Sequence, residues 1–338
     1  MYSRKILDSN NLSSYNSKAD RTNKKIDYYL KKLRSPNLPI NKFLDFRKDN
    51  VLNKVINRYK LNNVDFGNWT SQTQKYNFIL ALFVALYDLE KVLKFKNDNI
   101  GQGVLSIGYG SRGVKNAYAH YDSFEKYINL SRERRADKVG INDKDQLIEL
   151  YSGFGSLAHE YGHFLDYYFG NKAGGQTMAI TGGRCKLLPI DLKQSPINFD
   201  YFKYAEQFSI NIIQGSKSRV RELMFQIFTY LFLSTKITGG SNRPTDFYRR
   251  IYTYSKNVNS KYWIQYNEIW ARIFEVYVVY KLKKINIVNK VLVKDGKGKY
   301  AKDTNLKKSR SPVYPTFTEL KPVVPYIDEL IIEFNKMI

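Results

Sequence analysis

The stretch SLAHEYGHFLDYYFG, residues 156–170, constrains this chain more than any other, because it holds His159, Glu160 and His163, two of the chain's three histidines included. Read as a helix, it stacks His159 over His163, since positions i and i+4 share a face. Both imidazoles then aim at one ion. Glu160 sits about 100° round the axis, where it reaches a water on that ion without binding it. A zinc held by three protein ligands keeps a fourth position open and lowers the pKa of its bound water towards ~7. Such a site requires a helix at 156–170 and a third ligand from elsewhere in the chain. The bland alternative is a surface helix with two incidental histidines.

Residues downstream of the motif constrain the third ligand. Metzincin-type sites take a further histidine shortly after the second, and that register falls here on residues 168–170, which contain none. A gluzincin-type site takes a glutamate from a second helix. NEIWARIFE, residues 267–275, offers Glu268 and Glu275 on one helical face. Glu268 comes after Asn267 in an order like the N-E-x-x pattern of thermolysin-type enzymes. The expected ligand set is therefore His159, His163 and Glu268, with Glu160 as general base and Glu275 in support. Asp166 is a candidate to orient an imidazole by hydrogen bond; its alternative is an ordinary helix carboxylate. His120 and Tyr121, just before a strand, are candidates to stabilise an oxyanion; the alternative for His120 is a packed or loop position. Arg272 is expected to hold a carboxylate such as Glu275 or Asp166, as a structural ion pair.

Composition sets the outer bounds. The 338 residues suffice for a sizeable core, and 43% hydrophobic content is that of a globular chain. FILALFVALYDLEKVL comes closest to a membrane span but is interrupted by Asp88 and Glu90, short of the ~18–20 apolar residues required. The N-terminal 25 residues lack an apolar core, so no secretory signal is expected. Cys185 is alone, which excludes an internal disulfide and favours a cytosol-like compartment. The formal charge of +24 favours contact with nucleic acid, another polyanion or acidic protein surfaces. AT-rich coding accounts for many lysines but not for the shortage of acids.

Along the chain, residues 1–25 read as an arm and 26–60 show helical spacing. NVDFGNWTSQTQ (63–74) reads as a turn into a helix from Gln72 to Leu93, its apolar face formed by Phe78, Leu82, Ala85 and Leu89. GVLSIGYGSRG (103–113) and KYINLSR (126–132) read as strands, and 144–170 as helix. Residues 170–185 form a glycine-rich loop. Helices are expected at 219–234, 267–282 and after Pro325, with a short strand in NIVNKVLV and a basic loop over 283–312. GYGSRG lacks the succeeding helix of a phosphate loop and reads as a turn. The order suggests an α+β fold.

Several stretches together carry a family resemblance: FGNWTSQ, IGYGSRGVKNAYAHYDSFEKYINLSR, GFGSLAHEYGHFLDYYFG, YWIQYNEIWARIFEVYV and YPTFTEL. Over roughly residues 60–338 they resemble the large-polyvalent-protein-associated zincin domain of phages and conjugative elements. The resemblance implies a mainly helical zincin-like fold with a small sheet and a zinc peptidase acting on protein. It supports His159, Glu160 and His163 position by position, places Glu268 and Glu275 on the matching helix, and gives weight to His120, Tyr121 and Asp166. The family's E-L-F-A-R-A-F-E segment stands here as residues 268–275, with every polar position kept. Residues 186–250 are longer than usual, which suggests an inserted helical pair within one domain over 26–338. The rival expectation is a basic virion- or nucleic-acid-associated protein that uses the fold as a scaffold.

Overall fold

A computed structural model describes residues 33–43, 50–68, 70, 72–112, 119–131, 153, 155–191, 199–234, 243–293 and 312–338. The expected arm at 1–25, the helix over 144–152 and most of the basic loop lie outside the described residues. In chain order the elements are β1 (Arg34–Ser35), α1 (Val51–Tyr59), β2 (Asn63–Phe66), α2 (Gln72–Leu93), β3 (Ser106–Tyr109), β4 (Ala119–Asp122) and β5 (Tyr127–Leu130). They continue as α3 (Leu157–Lys172), α4 (Tyr201–Phe208), α5 (Arg219–Phe232), β6 (Leu233–Ser234), β7 (Arg243–Pro244) and α6 (Asp246–Asn257). The last are α7 (Tyr266–Lys284), β8 (Val288–Asn289), α8 (Phe317–Leu320) and α9 (Val324–Lys336). The fold is α+β, mainly helical, with a small mixed sheet.

The described chain divides into two compact units. In the first, β2, β3 and β5 run parallel, with Asn63 opposite Ser106 and Ser106 opposite Tyr127. β4 completes the strand order β2-β3-β5-β4. β2 departs from the turn expected at 63–66. Four residues of mixed polarity beside a glycine give little alternation, and pairing with the buried strand β3 makes the segment a strand. α2 spans the expected residues, but Ile79, Leu80, Phe83, Val84 and Leu86 are buried as well as the expected face. A helix apolar all round is a core helix. Its one deeply buried carboxylate, Asp88, accepts Arg34 Nε at 2.7 Å and Nη2 at 2.9 Å, and Asn289 Nδ2 at 2.9 Å. Fully paired, the charge is tolerated inside.

In the second unit α3 and α7 are both core helices. Trp270, Phe274 and Tyr277 of α7 are buried with Leu157, Tyr161, Phe164 and Leu165 of α3. α4, α5 and α6 occupy the stretch expected as an inserted helical pair. Side-chain caps start several of these helices: Asp200 accepts from Lys203 N and Thr245 from Tyr248 N. Thr316 and Glu319 form a reciprocal capping box on α8. No described helix is long and apolar enough to cross a membrane.

Candidate metal centre

The site begins with a glycine. A Cβ on Gly162 would lie 3.1 Å from Ala271 Cα and 3.3 Å from Phe274 Cβ, so α3 and α7 approach most closely where α3 has no side chain. Trp270 Nε1 donates to Gly162 O at 3.0 Å and fixes the crossing. His159 and His163 flank Gly162 on α3, and Glu268 and Glu275 flank Ala271 on α7. The crossing therefore presents imidazoles to carboxylates.

Glu268 meets both histidines. Its Oε2 lies 3.5 Å from His159 Nε2 and its Oε1 3.4 Å from His163 Nε2. On the far side of the ring, His159 Nδ1 lies 3.5 Å from Glu275 Oε2. The imidazoles stand nearly perpendicular, with centroids 5.1 Å apart. One donor atom from each of His159, His163 and Glu268 falls within 4.8 Å of the others. Two donors each ~2.1 Å from a tetrahedral ion lie ~3.4 Å apart, so these separations suit a shared divalent cation. The buried atoms His159 Nδ1 and Glu268 Oε2 make no hydrogen bond of normal geometry. Two imidazoles and one carboxylate form a donor set that fits zinc, with manganese or iron also compatible.

The electrostatics follow from burial. Desolvation alone would lower the pKa of His159, but Glu268, Glu275 and Glu160 outweigh it and raise it to about 10. For Glu160, burial raises the pKa above the usual carboxylate range; the two histidines oppose the shift and Glu268 and Glu275 add to it. Burial also acts to raise Glu268, but its two histidine partners prevail and hold it well below that range. Burial raises Asp166 to about 6, against two hydrogen bonds from Thr181.

Two expected partners differ. Asp166 accepts Thr181 N at 2.9 Å and Thr181 Oγ1 at 2.8 Å, so its hydrogen bonds tie down the glycine-rich loop and not an imidazole. Spacing places a carboxylate on a helix face but does not say which neighbour fills that face. Arg272 donates through Nη1 to Trp263 O at 3.1 Å and stacks over the Trp263 ring; no carboxylate is its hydrogen-bond partner among the described residues. The field of Glu268 still opposes the burial that lowers its pKa. Tyr121 packs edge-on against Phe164 and near Tyr167, both centroids at 6.2 Å, and its buried hydroxyl makes no hydrogen bond among the described residues. His120 is half-buried on β4 and is assigned to the first unit.

Residues 254–337 match the model of large polyvalent protein-associated domain 1. The stretch is shorter than half the chain. It contains Glu268, Arg272 and Glu275, and the histidine helix α3 lies outside it. Comparison with curated proteins and with solved structures found no match to this chain.

Two further residues, Tyr262 and Tyr314, stand beside the site's carboxylates and a third, Arg221, holds the adjoining loop, although their spacing gives no sign of it. Tyr262 is 44% exposed, with its hydroxyl end beside Glu268 and in the field of Glu160; burial and Glu268 together raise its pKa. Tyr314 is half-buried beside Glu275, which adds to the rise that desolvation causes. Arg221, fully buried, binds the carbonyls of Gly174, Thr177, Ala179, Ile180 and Ile212 at 2.6–3.2 Å. The available signal was an arginine on the apolar face of its helix, in register with Met224 and Phe228, in a chain whose glycine-rich loop needs donors.

Proposed function

We propose that the chain is a zinc-dependent metallopeptidase of phage or mobile-element setting that hydrolyses peptide bonds in a protein substrate. The observation that carries this reading is the meeting of His159 and His163 with Glu268 from a second helix, while Glu160 is buried alongside. His159, His163 and Glu268 would hold the ion. Zinc, when bound, acidifies water and polarises the scissile carbonyl. Glu160 takes the proton from the attacking water and delivers it to the leaving amine. Burial raises its pKa above the usual carboxylate range, which favours its taking up a proton. Glu275 steadies His159 through Nδ1, a support that metal-bound imidazoles generally require. The oxyanion role stays with His120 or Tyr121, and the packing of the Tyr121 ring on Phe164 of the histidine helix supports the latter. The setting rests on the sequence resemblance and on the match to a large polyvalent protein-associated domain.

The second reading is a basic virion- or nucleic-acid-associated protein that uses the same fold as a scaffold, favoured by the net charge of +24. Elemental mass spectrometry on purified protein tests the metal site. One zinc per chain is expected, with none in His163→Ala; a folded wild type that takes up no zinc when it is offered rejects the enzyme. Glu160→Gln then separates the readings, because the peptidase loses activity with zinc retained and the scaffold keeps its function.

A further inference from the structure

The chain just past the glycine-rich loop runs beside the entry to α7. Leu187 N donates to Ile264 O at 3.0 Å, Tyr266 N to Cys185 O at 2.8 Å and Asn267 N to Gly183 O at 3.0 Å, and Lys186 bridges antiparallel to Gln265. The pairing ends one residue before Glu268. Arg184, in the turn that leads into this pairing, and Lys186, within it, are both exposed. Lys261, also exposed, opens the short helix Lys261–Ile264 on the paired strand. The glycine-rich loop that leads into this pairing is held in place, since Arg221 binds four of its carbonyls and that of Ile212, and Asp166 binds Thr181.

Four of the ten described arginines pair with a carboxylate: Arg34 with Asp88, Arg58 with Glu90, Arg219 with Glu329 and Arg250 with Glu319. Arg184, Lys186 and Lys261 make no hydrogen bond or ion pair among the described residues. The bond from Asn267 N to Gly183 O joins the residue before Arg184 to the residue before Glu268, which places the cation's backbone beside the helix that carries the candidate ligand.

From this placement we infer that the rim formed by Arg184, Lys186 and Lys261 is an anion subsite that selects peptides with an acidic side chain close to the scissile bond. Arg184 is the principal contact, because its planar fork takes a carboxylate bidentately, with the two lysines flanking it. The inference rests on the peptidase reading for the bond that is cut, but not for the binding it predicts.

The test uses full-length Glu160→Gln protein loaded with zinc and two fluorescent peptides that differ only by Glu or Gln beside the candidate bond. Anisotropy is expected to show the Glu peptide bound about three- to tenfold more tightly, the scale of an exposed charge-assisted pair. Adding Arg184→Ala should abolish that preference, and Lys203→Ala, at an exposed lysine of α4, should preserve it. Equal affinities, or a preference that survives Arg184→Ala, overturn the subsite. Displacement of the Glu peptide by an oligonucleotide as readily as by excess unlabelled peptide also overturns it, in favour of a general polyanion surface. Acid-selective binding with no cleavage by the wild type sinks the peptidase reading and leaves the subsite. Cleavage without acid preference does the reverse.

Discussion

His159 stands between two carboxylates, Glu268 at Nε2 and Glu275 at Nδ1, and that position fixes its titration. Without metal its pKa rises from 6.5 to about 10. The folded chain therefore binds this proton more tightly than the unfolded chain does. The stabilisation is complete below about 6.5 and is lost as pH rises through about 10. A metal must displace the proton, so zinc binding near neutral pH is expected to release about one proton per ion. Calorimetry in two buffers of different ionisation enthalpy measures this; identical heats would mean that His159 is already neutral. Glu275→Gln tests the support at Nδ1 and should weaken zinc binding by about 10- to 100-fold in a chelator competition. At this scale the sequence revealed residue types and their faces. His159, His163 and Glu268 do share one site, because two helical periods and one crossing determine it. The partners of Asp166 and Arg272 were not legible. Thr181 comes from a loop and the Trp263 carbonyl from the single short turn Lys261–Ile264, and no periodicity encodes the path of either.

Each helix of the crossing depends on a small residue in the other. Gly162→Ala would set a methyl 3.1 Å from Ala271 Cα. Overpacking of that kind costs about 1–3 kcal/mol, offset in part by the ~1 kcal/mol that Ala gains over Gly in a helix. A net loss of about 1 kcal/mol in urea unfolding is expected, together with weaker zinc binding as the helices separate; unchanged values for both would show that the crossing has slack. The loop wall depends on Arg221 in a similar way. Arg221→Met leaves buried carbonyls unpaired at about 1–3 kcal/mol each, so a destabilisation of at least ~3 kcal/mol is expected. The long helices were legible as elements because their apolar residues and breakers agree. β2 was not, because a short parallel strand draws its stability from a neighbour remote in sequence, with Asn63 opposite Ser106. The all-round burial of α2 was hidden for a related reason: a one-sided apolar face and a core helix look alike until the remaining sides acquire neighbours.

For the molecule as a whole, α+β architecture was legible from the order of helices and strands, whereas the division into two compact units arises from long-range contacts that no local pattern displays. Charge belongs to this scale as well. With 55 basic and 31 acidic residues, the chain carries a positive field that attracts any acidic partner before contact. That field is screened: the Debye length shrinks from about 30 Å at 0.01 M to about 8 Å at 0.15 M ionic strength. Association with an acidic peptide should therefore slow by about tenfold or more over that range, while a neutral peptide of the same length changes little. Dissociation should change less, because it reports contacts already formed. Stopped-flow anisotropy on the zinc-loaded Glu160→Gln protein resolves the two rates. If both peptides associate at the same rate at low salt, the net charge plays no part in substrate capture. If only the acidic one is accelerated, and Arg184→Ala changes its dissociation but not its association, then the overall field brings the substrate in and the rim beside Glu268 selects it.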